Sequence, residues 1–132
     1  MRTKQTLTSA DVKKMLAACE AKAAANKWPV AIAIVDDGGF LLGFARMDGA
    51  AAITAEVAMG KARASAMTKR PSKFFEDRIK ERPAFLNFPA GILLQGGVPI
   101  MYQSECVGAI GVSGVQSHED EEVAQAGASE IG

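Results

Sequence analysis

The chain has a single histidine, His118, four residues before Glu122. An imidazole and a carboxylate one helical turn apart can share a metal ion, and a lone histidine is the usual haem-iron ligand. The neighbouring Glu119, Asp120 and Glu121 also suit a solvated helix start, where carboxylates meet the positive end of the helix dipole. Two cations come next. Arg46 stands beside Met47 and Asp48, and Lys61 lies midway along an alanine-rich stretch. An ammonium group on an apolar stripe needs a partner or a route to water. Lys61 therefore either runs its stem out to solvent or joins Arg46 in gripping a ligand carboxylate. Gly108 and Gly111 fall inside an apolar segment. Glycine there marks the close approach of another backbone or the wall of a pocket. Met47, Met59, Met67 and Met101 serve either as flexible core filler or as pocket lining.

Other chemistries lack their residues. There is no nucleophile elbow, P-loop, zincin pattern or paired-cysteine motif. Gly108, Gly111 and Gly114 lie within and just after a strand, whereas a dinucleotide fingerprint needs a strand, a glycine turn and a helix in order. No residue is assigned as catalytic. Cys19 and Cys106 are too few for a disulfide framework, lack metal spacing and read as buried thiols.

The elements that position these residues follow from periodicity and punctuation. Ser9 can cap a first helix over residues 9–26, which Pro29 ends. Residues 30–36 and 40–46 read as strands joined at Asp37-Gly38, a strong hairpin signal. Residues 50–68 form a helix whose thin apolar stripe takes in Ile53, Val57, Gly60, Lys61, Ala64 and Met67. Ser72 can cap a short helix over 72–82. The loop 83–89 carries Phe85, Leu86 and Phe88, and an apolar loop of this kind covers a core edge, a pocket or a subunit contact. Strands are expected at 92–95, 98–103 and 106–113, with turns at Gly96-Gly97 and Ser104-Glu105. A last helix runs over 117–131, capped by Ser117 and Asp120. The order α-β-β-α-α-β-β-β-α gives an α+β fold: a five-stranded antiparallel sheet flanked by helices.

Composition sets the outer bounds. The 132 residues suit one domain, 1–132, and 48% apolar with 23% charged residues can fill one core. Fifteen basic and fifteen acidic residues cancel. A neutral chain has no net pull toward phosphate backbones or anionic lipid, so no nucleic-acid or membrane partner is expected. It also offers little repulsion between copies, which favours a homo-oligomer. Residues 1–9 are polar with no apolar signal core, and the expected location is cytoplasmic.

Several motifs stand in series along the chain. They are Asp36-Asp37-Gly38-Gly39, Arg46-Met47-Asp48-Gly49-Ala50 and Lys61-Ala62 in the first half. In the second half come Phe88-Pro89-Ala90-Gly91, Gly96-Gly97-Val98-Pro99-Ile100, residues 107–114 and Glu119-Asp120-Glu121. Together, and in this order, they resemble the GlcG/HbpS haem-binding family, and the resemblance spans nearly the whole chain. It implies a profilin- or PAS-like fold, oligomers often built from dimers, and kinship with domains fused to PduO-type corrinoid adenosyltransferases. It points to a tetrapyrrole-binding protein for haem sensing, storage or breakdown, with no cofactor needed for folding. The alternative is an accessory protein that binds a small glycolate-like acid or stabilises a catabolic complex, and an enzyme acting on such a metabolite is the third reading. On the haem reading Arg46, Met47, Lys61, Gly108, Gly111 and His118 hold the cofactor, and His118 with Glu122 is the candidate metal pair.

Overall fold

The computed structural model describes residues 1–131. Helix α1 (Ser9–Ala25) leads into strands β1 (Ala31–Asp36) and β2 (Leu41–Arg46). Helices α2 (Ile53–Thr68) and α3 (Ser72–Glu81) and a 3-10 turn (Pro83–Asn87) follow, then β3 (Gly97–Tyr102), β4 (Glu105–Ser113) and α4 (Ser117–Ala128). Among the described residues no helix is long and apolar enough to cross a membrane.

The strands form one antiparallel sheet of four, in the order β2-β1-β4-β3. The expected fifth strand at 92–95 is absent. Gly91 and Gly96 bracket that segment with φ of +109° and +134°, conformations open to glycine but outside a strand. Between them Ile92 donates its N–H to Gly60 O at the surface of α2, and Leu94 O accepts from Ser72 Oγ of α3. The segment therefore straps two helices, and its backbone groups are spent there and not on a ladder.

The expected hairpin over 30–46 forms. Asp36 Oδ1 accepts N–H bonds from Gly38 and Phe40, both at 2.9 Å, and Gly39 turns the chain at φ +88°. The helix caps shift by one residue. Thr8, not Ser9, caps α1 in a reciprocal pair with Asp11. Gln116 and Glu119 cap α4, and this frees Asp120 for another role.

The two sheet faces differ in residue size. Ile32, Ile34, Val98, Ile100, Ile110 and Val112 pack against Met15 and Cys19 of α1 and Val123 and Ala124 of α4. The opposite face presents Ala31, Ala33, Val35 and Ala109 to Ala58, Ala62 and Ala66 of α2. Small residues on both sides bring that helix close to the sheet. The stripe expected on α2 holds at its centre, where Lys61 and Ala64 are buried, and fails at its ends: Ile53 and Met67 are exposed, and Ala58, Ala62 and Ala66 face inward instead.

Ser72 joins α3 to the sheet. It is fully buried, and its Oγ accepts the Gly97 N–H at 2.8 Å while donating to Leu94 O. Ser72→Ala strands a buried N–H, and the expected loss is about 1–3 kcal/mol. Urea unfolding followed by circular dichroism checks this; an unchanged midpoint contradicts it.

Candidate functional site

Lys61 neither reaches solvent nor offers its charge to a pocket. It is 3% exposed, and its Nζ donates to Val112 O at 2.9 Å and to Asp120 Oδ2 at 3.2 Å. Asp120 is 2% exposed, and its other oxygen accepts the Val115 N–H at 3.1 Å. Gly96 makes the room, because a Cβ there would lie 2.8 Å from Nζ and 2.7 Å from Val112 O. Burial is the largest influence on the Asp120 carboxyl and pushes it above the usual carboxylate range, while Lys61 and the Val115 N–H pull the other way. Lys61 can grip a ligand only by giving up Asp120. Asp120 is thus neither the capping partner of Ser117 nor the solvated, dipole-favouring acid expected from the sequence. The signal for its burial was its phase, since Asp120, Val123, Ala124, Gly127 and Ala128 make one helical stripe.

The other expected site residues do not converge on this pair. Gly111 lets α2 touch the sheet: a Cβ there would collide with Ala58 O and Ala62 N. Gly108 sits against Val35 O and 2.8 Å from Leu7 Cδ1 by the same test. Both glycines thus accommodate the protein's own atoms. Arg46 is exposed at the end of edge strand β2, and β1 lies between it and the strand that Lys61 reaches. Met47 packs on the opposite side, against the α1–α4 core. His118 and Glu122 are exposed on α4. Among the described residues no three His, Cys, Asp or Glu side chains gather as a metal site.

A different face combines aromatic surface with positive charge. Phe75 is buried in α3; Phe74 packs edge-on to it at 5.1 Å between centroids, and Phe88 stacks on it at 5.3 Å and 20°. Phe85 fills the gap, 5.6 Å from Phe88. Three guanidinium groups lie over these rings: Arg70 and Arg78 over Phe74 at 4.3 and 5.1 Å, and Arg82 over Phe85 at 5.3 Å. Arg78 also pairs with Glu81 at 3.8 Å, whereas Arg70 and Arg82 have no ion-pair partner among the described residues. Phe88 remains 39% exposed beside a cleft of about 190 Å³ lined by Arg82, Ala84, Phe85 and Phe88. The apolar loop noted in the sequence is one wall of this face. The arginines that complete it were missed, although Arg70, Phe74 and Arg78 recur at helical spacing.

The family model described as haem degrading protein HbpS-like matches residues 7–129. The chain belongs to that family. Protein GlcG of Escherichia coli K12 is 40% identical over 114 residues, which cover 86% of this chain and 85% of that protein. Among solved structures, a double mutant of Streptomyces reticuli HbpS superposes with a TM-score of 0.92 at 29% identity, over 100% of this chain and 91% of that one. The PduOC–haem complex superposes with a TM-score of 0.88 over 96% of both chains. At 22% identity that match shows the fold alone.

Two measurements test the buried residues of this HbpS-like protein. Lys61→Met leaves Asp120 buried without its cation, and the expected loss is roughly 3–5 kcal/mol in urea unfolding, with much of it regained when Asp120→Leu is added. The cysteines also separate. Burial pushes the Cys19 thiol up to about 12, and the half-buried Cys106 rises less far. Iodoacetamide at pH 8 is expected to label Cys106 first and Cys19 only after unfolding, as read by peptide mass spectrometry.

Proposed function

We propose that this protein binds haem or a related tetrapyrrole, in haem sensing, storage or breakdown, and that the ring docks on the face built by α3 and the 3-10 turn. The observation that carries the reading is the exposed Phe88, stacked on buried Phe75 and flanked by the unpaired Arg82. A porphyrin is planar, apolar and anionic at one edge. Aromatic rings offer its face a flat apolar contact, and guanidinium groups match carboxylates bidentately. The haem-linked description of the family and the haem named with PduOC support the ligand class. The face fits the group in kind: aromatic rings for the ring plane, and guanidinium groups without an ion-pair partner among the described residues for its carboxylates. Haem supplies its own iron chemistry; the face supplies docking and charge pairing, and His118, exposed on α4, is the candidate iron ligand taken from the sequence.

Arg70 and Arg82 take the carboxylate-binding role first expected of Arg46 and Lys61, because Lys61 already holds Asp120. Haem titration followed at the Soret band tests the reading. Arg82→Ala is expected to weaken binding about tenfold, the scale of one charge-assisted hydrogen bond. Phe88→Ala acts in the same direction, and His118→Ala alters the Soret position while the ring still docks. Lys61→Met leaves the affinity of the folded fraction unchanged. A wild-type protein that gives no saturable Soret change overturns the proposal. Light scattering of the same samples tests the expected homo-oligomer, with a mass of at least two chains as the anticipated result.

A further inference from the structure

A second cavity opens where the β1–β2 hairpin overhangs α2. It measures about 260 Å³, and its lining includes Val35, Phe40, Leu41, Met59 and Arg63. Phe40 is 75% exposed and Leu41 52%, so the hairpin holds apolar surface in water. Val35 and Leu41 are cross-strand partners and share the sheet face that α2 covers. One cation belongs to this apolar wall. The stem of Arg63 lies under the hairpin turn, where a Cβ on Gly39 would be 3.5 Å from its Cγ. Its guanidinium has no ion-pair partner among the described residues.

The acids of the hairpin are already engaged. Asp36 accepts the Gly38 and Phe40 N–H bonds, and Asp37 pairs with Lys4 at 2.9 Å. The cavity's lining has no acidic residue; it presents apolar walls and a guanidinium without an ion-pair partner among the described residues. Charge complementarity asks for an anion, and the walls ask for a short hydrocarbon attached to it. Enclosed ligand sites commonly run from about 300 to 1,000 Å³, so a ligand held within this cavity has only a few carbon atoms. We infer that this cavity binds a small amphipathic monocarboxylate, its chain against Val35, Phe40, Leu41 and Met59 and its carboxylate on Arg63.

The proposal is independent of the tetrapyrrole reading and is tested without haem. Protein labelled with ¹³C at the methionine methyl groups is titrated with hexanoate, 1-hexanol or glycolate, the Met59 signal being assigned by its loss in Met59→Leu. Hexanoate is expected to shift the Met59 signal saturably. Hexanol and glycolate, each lacking one half of the ligand, should bind at least fivefold more weakly. Arg63→Gln should bring hexanoate down to the level of hexanol, and Arg46→Gln should not. The inference is overturned if hexanoate leaves Met59 unmoved, if hexanol matches it, or if Arg63→Gln binds hexanoate as wild type does. A Met59 signal that follows protein concentration and ignores hexanoate also overturns it, because a second copy of the chain then covers the patch.

Discussion

The close approach of α2 to the sheet governs the rest of the structure. Ala58 and Ala62 meet Gly111 at backbone distance, and Ala31, Ala33 and Ala109 leave no side-chain layer between them. A helix lying that low must bury whatever occupies its flank, and Lys61 is there. The ammonium group ends beside Val112 O, below the surface, where water cannot satisfy it. An isolated buried charge is costly enough that a counter-charge is required. Asp120 supplies it from α4, the helix on the other side of the sheet. One packing choice thus fixes a small-residue face, a buried ion pair and the start of the last helix.

That pair links parts of the chain distant in sequence. Lys61 and Asp120 bridge α2 to α4, and Val112, Val115 and Gly96 complete the shell. Such a pair is weak evidence for net stability, since an apolar replacement can match it. Its geometric consequence is clearer. The Asp120 side chain turns inward to meet Lys61 and Val115, so capping of α4 falls to Gln116 and Glu119. The exposed His118 and Glu122 stand on the outer side of that same turn.

Legibility in the sequence followed side-chain size. The hairpin was readable because Asp37-Gly38 separates two apolar runs, and β3, β4 and the helices were readable from punctuation and period. The fifth strand was misread because residues 92–94 are apolar and the segment is flanked by glycines, a pattern shared by a buried strand and by a strap over helices. Only the positive φ of Gly91 and Gly96 separates the two, and composition does not reveal φ. The ends of the α2 stripe were misread because alanine marks no face. Lys61 and Ala64 are buried as expected, but Ile53 and Met67 are exposed, while the contacts with the sheet belong to Ala58, Ala62 and Ala66. Among site residues, the need of Lys61 for a partner was legible, but its identity was not, because Asp120 sits in an acidic run and is the one member of it that is fully buried.

An interior filled in this way determines where a ligand can go. Both sheet faces are covered, and the glycines of β4 accommodate the protein's own atoms. Two outer elements set cations that have no ion-pair partner among the described residues beside apolar surface: the α3 face, where Arg70 and Arg82 lie over phenylalanine rings, and the hairpin overhang at Arg63. They differ in the shape they present. The α3 face is flat, open and aromatic, and matches a wide planar ring. The overhang is a smaller apolar recess with a single guanidinium, and the ligand proposed for it is one carboxylate on a short chain. Under the two proposals, ligand class follows from which outer element carries the charge and from the shape of the apolar surface beside it.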